Sequence, residues 1–139
     1  MFHLQVLSLQ DAEALIAAGR LHAEKIGVPV NLAVADPAGH LIAHVRMDEA
    51  PVPSIEHAIN KAFTAALFRK PTIELKADAE PSGELFGLNL TLDRRVIVFG
   101  GGVPVLVDGA VVGAVGVSGG TADQDQTIAA AMLAAFAKT

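Results

Sequence analysis

Between Ser8 and Gly27 apolar residues return at helical spacing. Leu9, Ala12, Leu15, Ile16, Gly19, Ala23 and Ile26 share one face, which predicts a helix capped by Ser8 and stopped by Gly27. After Val28-Pro29 the pattern changes to a strand from Val30 to Ala35 and a second from His40 to Met47. The turn Asp36-Pro37-Ala38-Gly39 between them carries type I preferences. Helical spacing resumes from Ser54 to about Arg69 and ends before Pro71, because a proline pushes the residue before it out of the α region. A short helix is expected from Thr72 until Glu80-Pro81-Ser82-Gly83 breaks it, and residues 84–92 read as a loop holding one helical turn. Arg95–Phe99 is a short β-rich run. Val103–Val107 and Ala110–Val117 flank Asp108-Gly109, a dipeptide suited to a type I′ hairpin because both central positions need φ > 0. Thr121 and Gln124 have capping-box spacing ahead of a last helix, whose apolar stripe is Ile128, Ala131, Met132, Ala135 and Phe136.

Strands joined by such short turns pair antiparallel, and a lone antiparallel sheet buries both faces by taking helices on each. The expectation is an α+β fold, a three-layer arrangement of helices about a sheet of roughly five antiparallel strands. The 139 residues are enough for one domain with a core and too few for two, so residues 1–139 are read as one unit. Much of the hydrophobic content is alanine, and Trp and Tyr are absent, so the layers should pack closely.

No apolar run reaches the roughly 18 residues of a membrane span, and Met1-Phe-His-Leu-Gln5 lacks a basic stretch followed by an apolar one. A soluble cytoplasmic protein with no membrane partner is expected. Without cysteine there are no disulfides, thiolate metal ligands or cysteine nucleophile. A net charge of −5 without a basic stripe argues against nucleic acid as a partner.

Three features could carry chemistry. In the second strand, alternation sets Leu41, Ala43, Val45 and Met47 on one face and His40, Ile42, His44 and Arg46 on the other. The second face is either solvated or a ligand or subunit surface. On the middle helix, Ile55, Ala58, Ile59, Ala62, Phe63 and Ala66 form the expected buried side, with His57, Lys61, Thr64 and Phe68 opposite. Surface exposure explains His57, Lys61 and Thr64, whereas Phe68 calls for a cover. In the last hairpin, Val112, Ala114, Gly116 and Ser118 taper to almost no side chain, which admits either a close helix or the floor of a pocket. The run Ser118-Gly119-Gly120-Thr121 then enters a helix whose free N–H groups favour an anion, unless the capping box satisfies them internally. Gly100-Gly101-Gly102 is no dinucleotide fingerprint, since no helix follows it and no parallel βαβ unit surrounds it.

These pieces resemble the GlcG/HbpS-like family, also called the haem-degrading-domain or PduO C-terminal-like family. The match spans about Leu7 to Ala137 and rests on Gly27-Val-Pro-Val-Asn31, Asp36-Pro-Ala-Gly-His40, Arg46-Met-Asp48, Ser54, Lys61-Ala-Phe-Thr-Ala65, Phe68-Arg-Lys-Pro-Thr72, Phe99-Gly-Gly-Gly-Val-Pro104 and Gly113-Ala-Val-Gly-Val-Ser-Gly-Gly120 with Asp125. The resemblance implies a profilin-like α/β/α sandwich that assembles into homo-oligomers, dimers or larger, and a small-molecule or tetrapyrrole ligand such as non-covalent haem, with haem degradation attributed to the group. On this chain it makes Thr64 a candidate axial ligand and Lys61 a candidate partner for a propionate or other carboxylate. His57, one turn earlier, is the chemically stronger iron ligand. The expected pocket is bounded by His57, Lys61, Thr64, Phe68, Arg46 and the turns at Gly101, Gly102, Ser118 and Gly119, with Asp125 beside them. The competing expectations are an enzyme or accessory protein acting on a small organic acid, with Asp125, Glu49 or His57 as acid or base, and an oligomeric scaffold without its own ligand.

Overall fold

In the computed structural model of the chain, residues 1–137 are described. The first helix, α1 (Leu9–Ile26), starts at a reciprocal cap in which Ser8 Oγ accepts the Asp11 N–H at 3.1 Å and the Asp11 carboxylate accepts the Ser8 N–H at 2.8 Å. The Ser8 N–H and the Ser8 hydroxyl, each donating to Asp11 Oδ2 at 2.8 Å, hold the Asp11 carboxyl below the usual carboxylate range. Strands β1 (Asn31–Ala35) and β2 (Leu41–Arg46) form the first hairpin, and α2 (Pro53–Phe68) follows. After the short α3 (Lys76–Ala79) and a stretch of 3-10 turns come β3 (Gly102–Val107), β4 (Ala110–Ser118) and α4 (Ala122–Phe136). The second hairpin turns at Asp108 and Gly109 with φ of 51° and 79°, both positive as a type I′ turn requires.

The fold is mixed α+β, built on an antiparallel sheet of four strands in the order β2-β1-β4-β3. The expected extra strand at Arg95–Phe99 does not form. That segment runs along α2 instead, where the Ile97 N–H donates to Thr64 Oγ1 at 3.0 Å, so its backbone finds a side-chain partner.

Alternation along the strands gives the sheet two unlike faces. Leu32, Val34, Val115 and Val117 point towards α1 and α4 and pack with Leu15, Ile16, Ile128 and Met132 in a continuous aliphatic core. Ala33, Ala35, Ala114 and Gly116 face α2, which answers with Ala58, Ala62, Ala65 and Ala66. A Cβ on Gly116 would overlap the Ala58 carbonyl oxygen and come within 2.6 Å of the Ala62 nitrogen, so the tapering row admits a close helix.

Two register shifts break the expected alternation. One between Val34 and Ala35 leaves Ile42 as the extra residue of β2, and Ile42 joins Ala43 and Val45 against the aliphatic core rather than facing with His44 and Arg46. The other leaves Val112 unpaired, and it too enters the aliphatic core, not the row of Ala114 and Gly116. Among the described residues no helix is long and apolar enough to cross a membrane.

Candidate ligand-binding site

Helix α2 is enclosed on two sides, by the sheet and by the segment that returns along it from Arg95. This corrects the expectation that Lys61 and Thr64 lie on an outer stripe: both are fully buried, while Ile59 and Phe63 are only partly so. The Thr64 hydroxyl lies 2.7 Å from the Asn60 carbonyl and 3.3 Å from that of Arg95, and it accepts the Ile97 N–H. An oxygen so engaged inside the fold is not a free axial ligand.

Lys61 reaches through the layer to α4. Its Nζ donates to the Val117 carbonyl at 2.8 Å and to Asp125 Oδ2 at 3.0 Å, and lies 5.0 Å from the centroid of the Phe99 ring. Asp125 Oδ1 accepts the Gly120 N–H at 2.9 Å. Burial pushes the Lys61 ammonium below its usual pKa, and the Asp125 carboxylate pulls it part of the way back. The anion expected at the start of α4 is therefore supplied by the chain itself. Asp125 sits between Lys61 and Gly120, and the Thr121–Gln124 capping box closes further donors, with the Thr121 N–H on Gln124 Oε1 and the Gln124 N–H on Thr121 Oγ1.

Above this pair a solvent-open depression of about 290 Å³ is walled by His57, Phe99, Ser54, Pro51, Ser118, Gly119 and Asp125. That volume falls just below the usual range of ligand pockets, about 300–1,000 Å³. His57 is exposed on the first turns of α2 and meets Phe99 edge-on, with ring centroids 6.1 Å apart at 89°. Its ring nitrogens make no hydrogen bond among the described residues.

The structure thus brings His57, Ser118, Gly119 and Asp125 together and places Lys61 beneath them. Arg46 is exposed on β2 and lines a separate depression with Arg20, Glu24, Met47 and Asp48. Phe68 is half-buried at the far end of α2, outside the His57 depression. The N–H groups of Gly101 and Gly102 donate to Gln126 Oε1 and Thr72 Oγ1, each at 3.1 Å, and are not free for a ligand. Glu49 lies exposed in the loop after β2 with φ 70°. Among the described residues no group of three or more His, Cys, Asp or Glu could hold a metal ion.

Two features lay outside the reading of the sequence. Asn31 and Ser54 are buried and bonded to each other at 2.7 Å, and His44 lies 2.8 Å from Asn31 Oδ1. The available signal was a lone amide opening an otherwise apolar strand. On α1, His22 Nε2 is buried with no hydrogen-bond partner among the described residues. It belongs to the opposite layer from His57.

Comparison with known proteins places the chain in a family. Residues 7–134 match the family described as haem degrading protein HbpS-like, and the chain belongs to it. The fold superposes on the crystal structure of the Klebsiella pneumoniae protein ORFY with a TM-score of 0.98 at 40% identity, covering 100% of this chain and 96% of that one. A crystal structure titled as a PduOC:heme complex superposes with a TM-score of 0.90 at 36% identity, covering 94% of each chain. The corrinoid adenosyltransferase PduO of Citrobacter freundii is 36% identical over 130 residues, which are 94% of this chain and 39% of that protein. This chain therefore corresponds to well under half of that relative's length.

Proposed function

We propose that the protein binds a tetrapyrrole, haem in the first instance, non-covalently, and that His57 is its axial ligand. The observation that carries this reading is an imidazole without a hydrogen-bond partner among the described residues, open to solvent and set edge-on to Phe99 beside a glycine-walled depression. Support comes from the haem complex of a relative that shares 36% of its sequence and nearly all of its fold. Of the two candidate ligands, His57 fits an iron centre and Thr64 does not, because its oxygen is buried and bonded. Lys61 is engaged by Asp125 and is not the propionate partner. When bound, haem supplies a redox-active iron; the chain's residues hold and orient it.

The organic-acid reading is weaker on this geometry, since Lys61 and both oxygens of Asp125 already have partners. Assembly into homo-oligomers is part of the proposal. Leu85, Phe86, Leu90 and Leu92 are 44%, 68%, 63% and 48% exposed in one loop, apolar surface that a second copy would cover. The test is a hemin titration followed by the Soret band. A saturable shift that His57→Ala abolishes and Thr64→Ser preserves is expected. No saturable shift in the unsubstituted protein, or full binding by His57→Ala, would overturn the proposal.

A further inference from the structure

A polar chain that starts on the edge strand β2 ends on the wall of the depression. His44 places Nε2 2.8 Å from Asn31 Oδ1, Asn31 donates from Nδ2 to Ser54 Oγ at 2.7 Å, and Ser54 donates to the Pro51 carbonyl. Ser54 and Pro51 both line the depression that holds His57. The direction of every donor is forced from the far end. A carbonyl only accepts, so the single hydroxyl proton of Ser54 goes to Pro51. Ser54 must then accept from Asn31, which turns the amide so that Oδ1 faces His44. Because Oδ1 also only accepts, His44 carries a proton on Nε2.

This chain acts where α2 lacks its usual anchor. Its N-cap, Val52, offers no side-chain cap bond, and the Pro51 carbonyl that Ser54 holds is the one that also accepts the Ser54 N–H at 3.0 Å. We infer that His44 is a positioning residue for the candidate site: donating from Nε2 through Asn31 and Ser54, it fixes the wall from Pro51 to Ser54 against which a ligand of His57 rests. The inference deepens the tetrapyrrole reading and, for its ligand, rests on it. Without His44, Asn31 Oδ1 is left buried with no donor, and the amide is free to turn away from Ser54.

Glutamine can replace the donor and leucine cannot, so the pair His44→Gln and His44→Leu separates positioning from packing. In the unsubstituted protein, long-range ¹H–¹⁵N spectra at neutral pH should show the His44 proton on Nε2. The backbone amide signals of Ala50, Val52 and Ser54 to His57 should move in His44→Leu and return towards their original positions in His44→Gln. Hemin affinity should fall about tenfold in His44→Leu and stay within about twofold in His44→Gln, the range seen when a residue that orients a ligand is lost. An Nδ1–H tautomer, or amide signals that ignore the Leu–Gln difference, overturns the positioning role whatever hemin does. If the unsubstituted protein fails to bind hemin while the amide pattern holds, the haem reading falls and the positioning of the wall stands.

Discussion

The two faces of the sheet are built on opposite principles. Towards α1 and α4 the contacts are between branched and long aliphatic side chains, whose tips can shift a little when a neighbour changes. Towards α2 the contacts are alanine against alanine and glycine against backbone, so the helix sits too close for adjustment. The same face buries Asn31, Ser54, Lys61 and Thr64, each with a specific partner. The aliphatic face supplies stability through area. The small-residue face fixes the position of α2 and, with it, His57.

The largest effect should come from the buried ion pair of the α2 face. Lys61→Met leaves Asp125 buried and unpaired and should destabilise the fold by about 3–5 kcal/mol, read by chemical denaturation. Lys61→Met with Asp125→Leu should recover part of that loss; a double variant as unstable as the sum of the singles would contradict the coupling.

A pair of matched substitutions compares the faces directly. Gly116→Ala drives a methyl into the Ala58 backbone and should cost about 1–3 kcal/mol or more. Gly19→Ala on α1 meets the buried side chains of Met132 and Leu32 at 2.8–2.9 Å, which must shift, and gains up to about 1 kcal/mol of helix propensity, so it should cost clearly less than Gly116→Ala, which meets backbone. Equal losses at the two sites would erase the distinction. On the aliphatic side, His22→Leu removes a buried nitrogen without a partner and should raise stability by about 1 kcal/mol.

The smallest effect is one of pH. Burial, and secondarily Arg46, hold the His44 imidazolium below the ordinary value of 6.5, so between those two pKa values the unfolded chain binds a proton that the folded chain does not. Stability should therefore fall as pH drops from 7 through this window, and His44→Gln should flatten that part of the curve. An unchanged slope in His44→Gln would assign the acid sensitivity to other groups.

Much of the fold was legible because it is written in local chemistry. Ser8 and Thr121 cap as their spacing implies, Asp108-Gly109 makes its hairpin, and the small residues Ala114 and Gly116, alternate along β4, admit a helix. The errors share a cause. A helical wheel assigns apolar residues to the inside, yet α2 is covered on two sides, so Lys61 and Thr64 are inside by virtue of partners far along the chain. Likewise Arg95–Phe99 looks like a strand residue by residue, but its Ile97 N–H is taken by Thr64 and no strand forms. Ile42 and Val112 change face because single extra residues in the ladders shift the period, which composition does not announce. Part of the candidate site was within reach. His57, Ser118, Gly119 and Asp125 converge, while the role of Asp125 as an internal anion depends on the approach of α4 to Lys61.

The most direct measurement is the position of iron in crystals of the protein grown with hemin, located by its anomalous scattering. A peak is expected within bonding distance of the His57 ring, on the α2 side of the sheet, with the Lys61–Asp125 pair intact beneath it. Iron on the α1 and α4 side, or bound at Thr64 with the returning segment displaced, would contradict it.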